Sequence, residues 1–387
     1  MRETWKSTIL GEVADFSNGR TSPERFDSGE YEVFGANGII GYSDKMNSEE
    51  DTIIIGRVGS YCGSLHFSKN SCWVTDNAIK ANSKKITDPF YLYYFLITQK
   101  LNSKAAGSGQ PLINQEILNS IGINLPLLPE QKAIAAVLSS LDDKIELLRK
   151  QNKTLENVAQ TIFKEWFVNF KVKGEKLKVN PGTGLPEGWK IGKMGDVVEI
   201  RGGTTPSTSN PNFWDGEINW TSPKDLSISN EVFLLKTEKK ITVEGLKQIS
   251  SGLLPKGTLL LSSRAPVGYL AISGINISIN QGYIAFLPGS YFSNYFMYLW
   301  LTINMQEVIN AANGSTFLEI SKSSFRNIRC IIPSKDSLDS FELVIKPFFD
   351  KIENNIIQIR TLSRLRDTLL PKLMKGEIRV KYKEASS

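Results

Sequence analysis

LSSLDDKIELLRKQNKTLENVAQTI, residues 138–162, sets how the rest of the chain is read. Leu138, Leu141, Ile145, Leu148, Leu155, Ala159 and Ile162 recur at alternating steps of three and four, and Asn152 takes the one remaining place in that rhythm. So narrow an apolar stripe is the seam of a coiled coil, not the broad face of a helix lying on a globular core. Such a seam needs a partner of its own kind. Ile345, Phe348, Ile352, Ile359, Leu362 and Leu369 supply one, a second stripe of the same period interrupted by Asn355 and Arg366. Parallel pairing would set Asn152 against Ile359 and Asn355 against Leu148, two amides facing hydrocarbon. Antiparallel pairing, with residue numbers summing to 507, sets Asn152 level with Asn355, where one amide can satisfy the other. The segment between the helices agrees. Parallel helices would make residues 171–188 run back along ~60 Å of helix, close to the full reach of eighteen residues. Yet that segment contains Asn180-Pro181-Gly182, a turn sequence.

The two stripes belong to a larger repeat. WKSTILGEVADFSNGRT from Trp5 aligns with WKIGKMGDVVEIRGGTT from Trp189 at an offset of 184. DTIIIGRVG from Asp51 resembles GTLLLSSRAPVG from Gly257, and FYLYYFL matches NYFMYLW at an offset of 204. From Gly107 onward the offset is 207, with Ser108 on Ser315, Leu118 on Phe325, Ile121 on Ile328 and Pro126 on Pro333. Short apolar runs such as Ile53 to Ile55 and Leu259 to Leu261 sit between Gly, Pro, Asn and Ser clusters, as strands do, while Asp88-Pro89 and Ser293 are helix starts. The fold expected is α+β, two tandem α/β domains at residues 1–129 and 189–338. Long helices at 130–170 and 339–378 form the antiparallel coiled coil, with a linker at 171–188 and a tail at 379–387. Two copies so paired have a pseudo-twofold axis and a globular domain at each end of a rod.

Composition excludes several classes. At 387 residues, 41% hydrophobic and 22% charged, the chain has the balance of a few ordinary folded domains rather than a disordered one. MRETWKSTIL lacks an apolar signal core, and YFMYLWLTI from Tyr295 is about half a membrane span, so a cytoplasmic location without a membrane partner is expected. Cys62, Cys72 and Cys330 are odd in number and spaced for neither a disulfide framework nor a metal knuckle, and read as reduced packing residues. A formal charge of +6 permits a nucleic-acid partner without requiring one.

No enzyme motif assembles. FGANG at Phe34 and NPNF at Asn210 resemble pieces of a methyltransferase site but fall in different copies, and FGANG precedes no amphipathic helix that could aim its amides at a ligand. Pro223-Lys224-Asp225 with Glu238-Lys239-Lys240 loosely matches a metal-dependent nuclease core that the other copy lacks. A single histidine, His66, allows neither a histidine zinc cluster nor a histidine dyad in both copies. The chain reads as a binder, with no catalytic or metal-ligating residue. Its candidate ligand contacts are the polar turns both copies keep. Asn18-Gly19-Arg20-Thr21 answers to Gly202-Gly203-Thr204-Thr205 beside Arg201, each offering amides, hydroxyls and a guanidinium to phosphates or base edges. Arg57 and Arg264 each follow a buried strand, and Ser108, Gln110 and Ser315 follow the aromatic helices. Tyr91, Tyr94, Tyr295 and Tyr298 read as core.

The run LPLLPEQKAIAAVLSSLDDKIELLRKQNKTLENVAQTIFKEWFVNF, the opening LPEGWK from Leu185 and the ending LLPKLMKGEIRV from Leu369 resemble the DNA-specificity subunit of type I restriction-modification systems. The likeness covers essentially the whole chain. It implies two target-recognition domains held apart by the helix pair, each reading one half of a split, asymmetric DNA target. It implies also that the helices dock two methyltransferase subunits and, through them, restriction subunits, so that S-adenosylmethionine, ATP and Mg reside on those partners. The first domain departs from the family pattern by opening with ETWK in place of Leu-Pro-x-Gly-Trp, and no base-contact residue carries over. The alternative is a coiled-coil DNA-binding scaffold or regulator unrelated to restriction. The seam from Leu138 to Ile162 rises about 36 Å, close to one turn of B-DNA, so two read blocks about one turn apart are expected.

Overall fold

A computed structural model of the chain describes residues 5–106, 111–229, 231–314 and 318–381. The chain forms two compact units, Met1–Ile145 with Thr361–Ser387, and Glu146–Arg360. Each holds one copy of the repeat and part of both long helices.

In the first unit Thr52–Gly56 is apolar at nearly every position because both its faces are covered. It lies inside a four-stranded antiparallel sheet, in the order Ala14–Asn18, Ala78–Ser83, Thr52–Gly56, Leu65–Ser68. Ile53 and Ile55 join Ile79, Ala81 and the aromatic helix Pro89–Thr98 in the main core, together with Ile134, Leu138, Leu370 and Leu373 of the long helices. Ile54 faces the other way, onto Phe34, Cys72 and Val74 of a second, three-stranded sheet. That sheet runs Gly38–Ser43, Tyr31–Gly35, Cys72–Val74, its last pair parallel. Lys6–Ile9 and Gly122–Leu125 close the copy as an antiparallel pair.

The second unit repeats the plan. Its larger sheet runs Ile200–Arg201, Tyr283–Phe286, Leu259–Ser263, Val267–Ser273, with Phe233–Leu234 added as a parallel edge. Its smaller sheet runs Lys239–Ile241, Trp214–Thr221, Ser278–Ile279, again with a parallel last pair. Lys190–Lys193 pairs with Arg329–Ile332 as Lys6–Ile9 does with Gly122–Leu125. The run FKEWFVNF supplies Phe163, Trp166 and Phe167 to an aromatic cluster. Phe163 stands 5.0 Å from Phe296 between ring centroids, and Trp166 and Phe167 stand 5.6 and 4.8 Å from Phe341.

The long helices are Leu128–Phe167 and Lys335–Met374. Both begin and end two to four residues before the expected bounds. The first stops ahead of Phe170, whose φ is +55°, and the chain turns into a short hairpin of Lys171–Val172 with Glu175–Lys176, so part of the linker is ordered structure. The second starts where the Ser334 hydroxyl accepts from the Ser337 amide and stops before Gly376 at φ +70°. It passes through Pro347, which leaves the Leu343 carbonyl without its helical donor; Leu343 is 79% exposed, so water reaches that group.

Within the second unit, Nδ2 of Asn355 donates to Oδ1 of Asn152 at 2.7 Å and to Oε1 of Gln151 at 2.9 Å. Oδ1 of Asn355 is buried without a partner. Within the first unit, Arg366 meets Asp142 at 2.6 Å, and the Tyr94 hydroxyl donates to the other carboxylate oxygen at 2.7 Å. The stripe is nevertheless wider than a seam. Phe348, Leu141, Leu155 and Ile162 are half-buried, while Phe349 and Ile356, which the three-four rhythm passes over, are buried. Within each unit the helix segments also pack on the domain: in the second, Phe349 stacks on Tyr295 at 4.6 Å and lies edge-on to Phe233.

Candidate nucleic-acid interface

In both units the strand that opens the larger sheet leaves it through a glycine pressed onto backbone. A Cβ at Gly19 would stand 2.1 Å from the Thr75 carbonyl oxygen, and one at Gly203 only 1.8 Å from that of Ile279. No other residue fits, so the small-residue turns are first of all close-packed. Their exposed side chains are Asn18, Arg20, Thr21 and Thr205. Thr204 is turned inward instead: its hydroxyl donates to the Gln248 carbonyl at 2.8 Å and accepts from the Ser250 amide. The Thr205 hydroxyl donates to Oε1 of Gln281 at 2.7 Å. Arg201 is held by Glu199 at 3.1 Å, and the Lys322 ammonium lies against Gly202.

The segment each glycine presses on leads from the smaller sheet back to the larger one. The amide of Thr75 donates to Phe34 and that of Asn280 to Thr221; Arg57 donates to Asn77 and Ser263 to Gly282. These bonds match Asp76 with Gln281 and Asn77 with Gly282. Asp76, Asn77 and Gln281 are exposed. The sequence reading passed over them, and its only available signal was a turn sequence, Asp-Asn or Asn-Gln-Gly, directly after a short apolar run. On the strand after the first turn, Lys80 donates to the Asn47 carbonyl at 2.7 Å. Burial and the charge of Arg20 pull its pKa below the usual ammonium value.

The same bonds separate Arg57 from Arg264. Ile113 donates to Arg57 and Ile320 to Ser263, so Ser263 holds the place of Arg57 and Arg264 stands one residue further on. One step along an extended chain turns the side chain to the opposite face. Arg57 is half-buried and its Nε has no partner, whereas Arg264 pairs with Glu319 at 3.6 Å. Ser108, Gln110 and Ser315 lie outside the described residues. The bridges flanking them, Ala106 with Leu112 and Asn313 with Glu319, sit beside the arginine turns through Val58–Leu112 and Arg264–Glu319.

The rejected motifs have structural work. The Asp225 carboxylate accepts from Ser222, from the Thr221 hydroxyl and from the Glu238 amide, while Lys224 pairs with Glu238 at 2.9 Å. FGANG carries the chain from Tyr31–Gly35 into Gly38–Ser43, and in NPNF the Asn210 side chain accepts from Asn212. Cys62, Cys72 and Cys330 are free and buried, and burial pushes the Cys72 thiol up to about 11. Tyr91, Tyr94 and Tyr298 are buried, and Tyr295 is half-buried on Phe349. Among the described residues no group of three or more His, Cys, Asp and Glu side chains is placed to hold a metal, and no helix is long and apolar enough to cross a membrane. What each unit presents is a rigid turn edged with hydroxyls, amides, a carboxylate in one case, and nearby cations. Those groups bind phosphates and base edges.

The sequence profile of the type I restriction modification DNA specificity domain matches residues 2–157 and 186–363, once on each repeat. The chain belongs to this family. Its role is therefore DNA sequence specificity in a type I restriction-modification system. The specificity subunit of the type I restriction enzyme MjaIX from Methanocaldococcus jannaschii is 27% identical to it, over 96% of this chain and 92% of that one. That of HindI from Haemophilus influenzae is 27% identical over 75% of this chain and 77% of its own. The crystal structure of a type I S subunit from M. genitalium shares the fold, with a TM-score of 0.66 at 18% identity, covering 100% of this chain and 98% of that one.

Proposed function

We propose that this member of the family is a non-catalytic specificity subunit whose two units bind the two blocks of a bipartite, asymmetric DNA target. Two methyltransferase subunits assemble on it, and restriction subunits join through them. S-adenosylmethionine, ATP and Mg belong to those partners. The observation that carries the reading is the pair of matched turns: one backbone arrangement, in each unit preceded by a segment that a glycine presses on, presents Asp76 and Asn77 in one unit and Gln281 in the other. One scaffold with different side chains at its exposed turn is what reading two different blocks requires. Arg20 and Lys322, beside those turns, suit the flanking phosphates.

The test is a complex reconstituted with its methyltransferase chain, followed by mapping of modified adenines in genomic DNA. Two unlike blocks at a fixed spacing are expected; methylation without such a pattern would overturn the reading. Chain purified free of partners should neither cleave nor methylate DNA, and turnover from it would contradict the non-catalytic assignment. The affinity of the complex for DNA should fall steeply with salt as phosphate contacts displace counterions.

A further inference from the structure

We infer that Gln281 reads an adenine in the block bound by the second unit, and that Thr205 is the residue that orients it. This rests on the reading above and adds a residue and a base to it. Gln281 is the exposed side chain of a turn whose backbone is fixed on every side. The Asn280 amide donates to Thr221, the Gly282 amide to Oδ1 of Asn280, and the Ser263 amide to the Gly282 carbonyl. Neither glycine neighbour tolerates a side chain. A Cβ at Gly203 would collide with Ile279, and one at Gly282 would stand 2.9 Å from the Pro223 ring.

The side chain itself is held as well. An exposed glutamine normally surrenders much of its rotamer freedom, ~1.5–2 kcal/mol, when it binds. Here the Thr205 hydroxyl already donates to Oε1 at 2.7 Å, so part of that ordering precedes contact with a ligand. The bond holds the carboxamide against the turn with Oε1 toward the hydroxyl. Oε1 keeps a second lone pair and Nε2 keeps both hydrogens, an acceptor and a donor side by side. Adenine presents the complementary pair in the major groove, the N6 amino group as donor and N7 as acceptor. Guanine offers two acceptors there and suits a guanidinium, but the nearby Arg264 is paired with Glu319 at 3.6 Å. Lys322, against Gly202 of the same turn, is placed for a phosphate.

The experiment uses the reconstituted complex with Gln281→Ala and, separately, Thr205→Val, reading methylated sites across genomic DNA. Gln281→Ala should admit all four bases at one position of one block that the unsubstituted complex restricts to adenine, lowering discrimination there about 10- to 100-fold. The other block and the spacing should stay strict, which also shows that the variant is folded. Thr205→Val should relax the same position by a few-fold and leave binding to unrelated DNA unchanged. A methylation pattern unaltered by Gln281→Ala, or relaxation at a position that is not adenine, overturns the inference while the two-block reading stands. An unsubstituted complex with no two-block pattern removes both.

Discussion

Asn355→Leu should stabilise the second unit, although it deletes a hydrogen-bonded residue at the centre of the helix pair. Asn355 is fully buried, its Oδ1 has no partner, and only its Nδ2 is satisfied, by Asn152 and Gln151. Removing the orphaned carbonyl recovers about 1–3 kcal/mol, and burying leucine adds about 1.5–3 kcal/mol. Against this stand the hydrogen bonds lost to Nδ2, about 1 kcal/mol each. The Asn152 left behind lines an open cleft of about 1010 Å³, so water can take over its amide. The net expectation is a gain of about 1–3 kcal/mol. The reciprocal change is not its mirror image. Asn152→Leu strands one hydrogen of a fully buried Nδ2 at a cost of about 1–3 kcal/mol, which roughly cancels what the leucine contributes. The double variant should recover that loss and exceed either single variant, with a coupling of about 1–2 kcal/mol. Urea unfolding of the full chain, followed by helical circular dichroism, measures all four corners of the cycle. A coupling below about 0.5 kcal/mol, or a clear destabilisation by Asn355→Leu, would refute the asymmetry and the pairing behind it.

Asp142→Ala should destabilise the first unit by about 1–3 kcal/mol, because half-buried Arg366 and the Tyr94 hydroxyl both lose their acceptor; if Arg366→Leu added to it restores none of the melting temperature, the ion pair is not what the position supports. Glu231 is pushed above the usual carboxylate range by burial, against the pull of Arg360 and Arg149. The folded chain then keeps a proton that the unfolded chain has released, so stability falls as pH rises through and above that range. Glu231→Gln should flatten the part of the pH dependence that lies just above the usual carboxylate range, and an unchanged slope there would show that Glu231 does not contribute to it. Inserting seven residues in both long helices adds about 10 Å of rise, or about three base pairs, and should lengthen the unread spacer in the mapped target while both blocks keep their sequence. An active complex with the original spacer would show that the helices do not set it.

The helix pair was legible because its signal is periodic: Asn152 and Asn355 each break an apolar rhythm, and one arithmetic condition brings them together. The role of Arg366 was not, since its partner Asp142 lies outside the stripe. The strands were legible where both faces are covered, as in TIIIG. The matched turns were hidden for a different reason. The offset between the copies drifts from 184 to 207 through loop insertions, and only hydrogen-bond register shows that Asp76 answers to Gln281 and that Ser263, not Arg264, answers to Arg57. Thr204 and Thr205 are adjacent hydroxyls in sequence, and the path of the backbone alone sends one to Gln248 and the other to Gln281.

The offset of 184 aligns Thr21 with Thr205, as the hydrogen-bond register aligns Asp76 with Gln281. The first copy therefore carries a threonine at the same repeat position, and a carboxylate where the second has a carboxamide. Asp76→Gln is then a change of alphabet rather than of architecture. On the function proposed above, it gives the designer of new methylation sites a single-codon route to a different first block, with no exchange of domains, and natural variation the same short step.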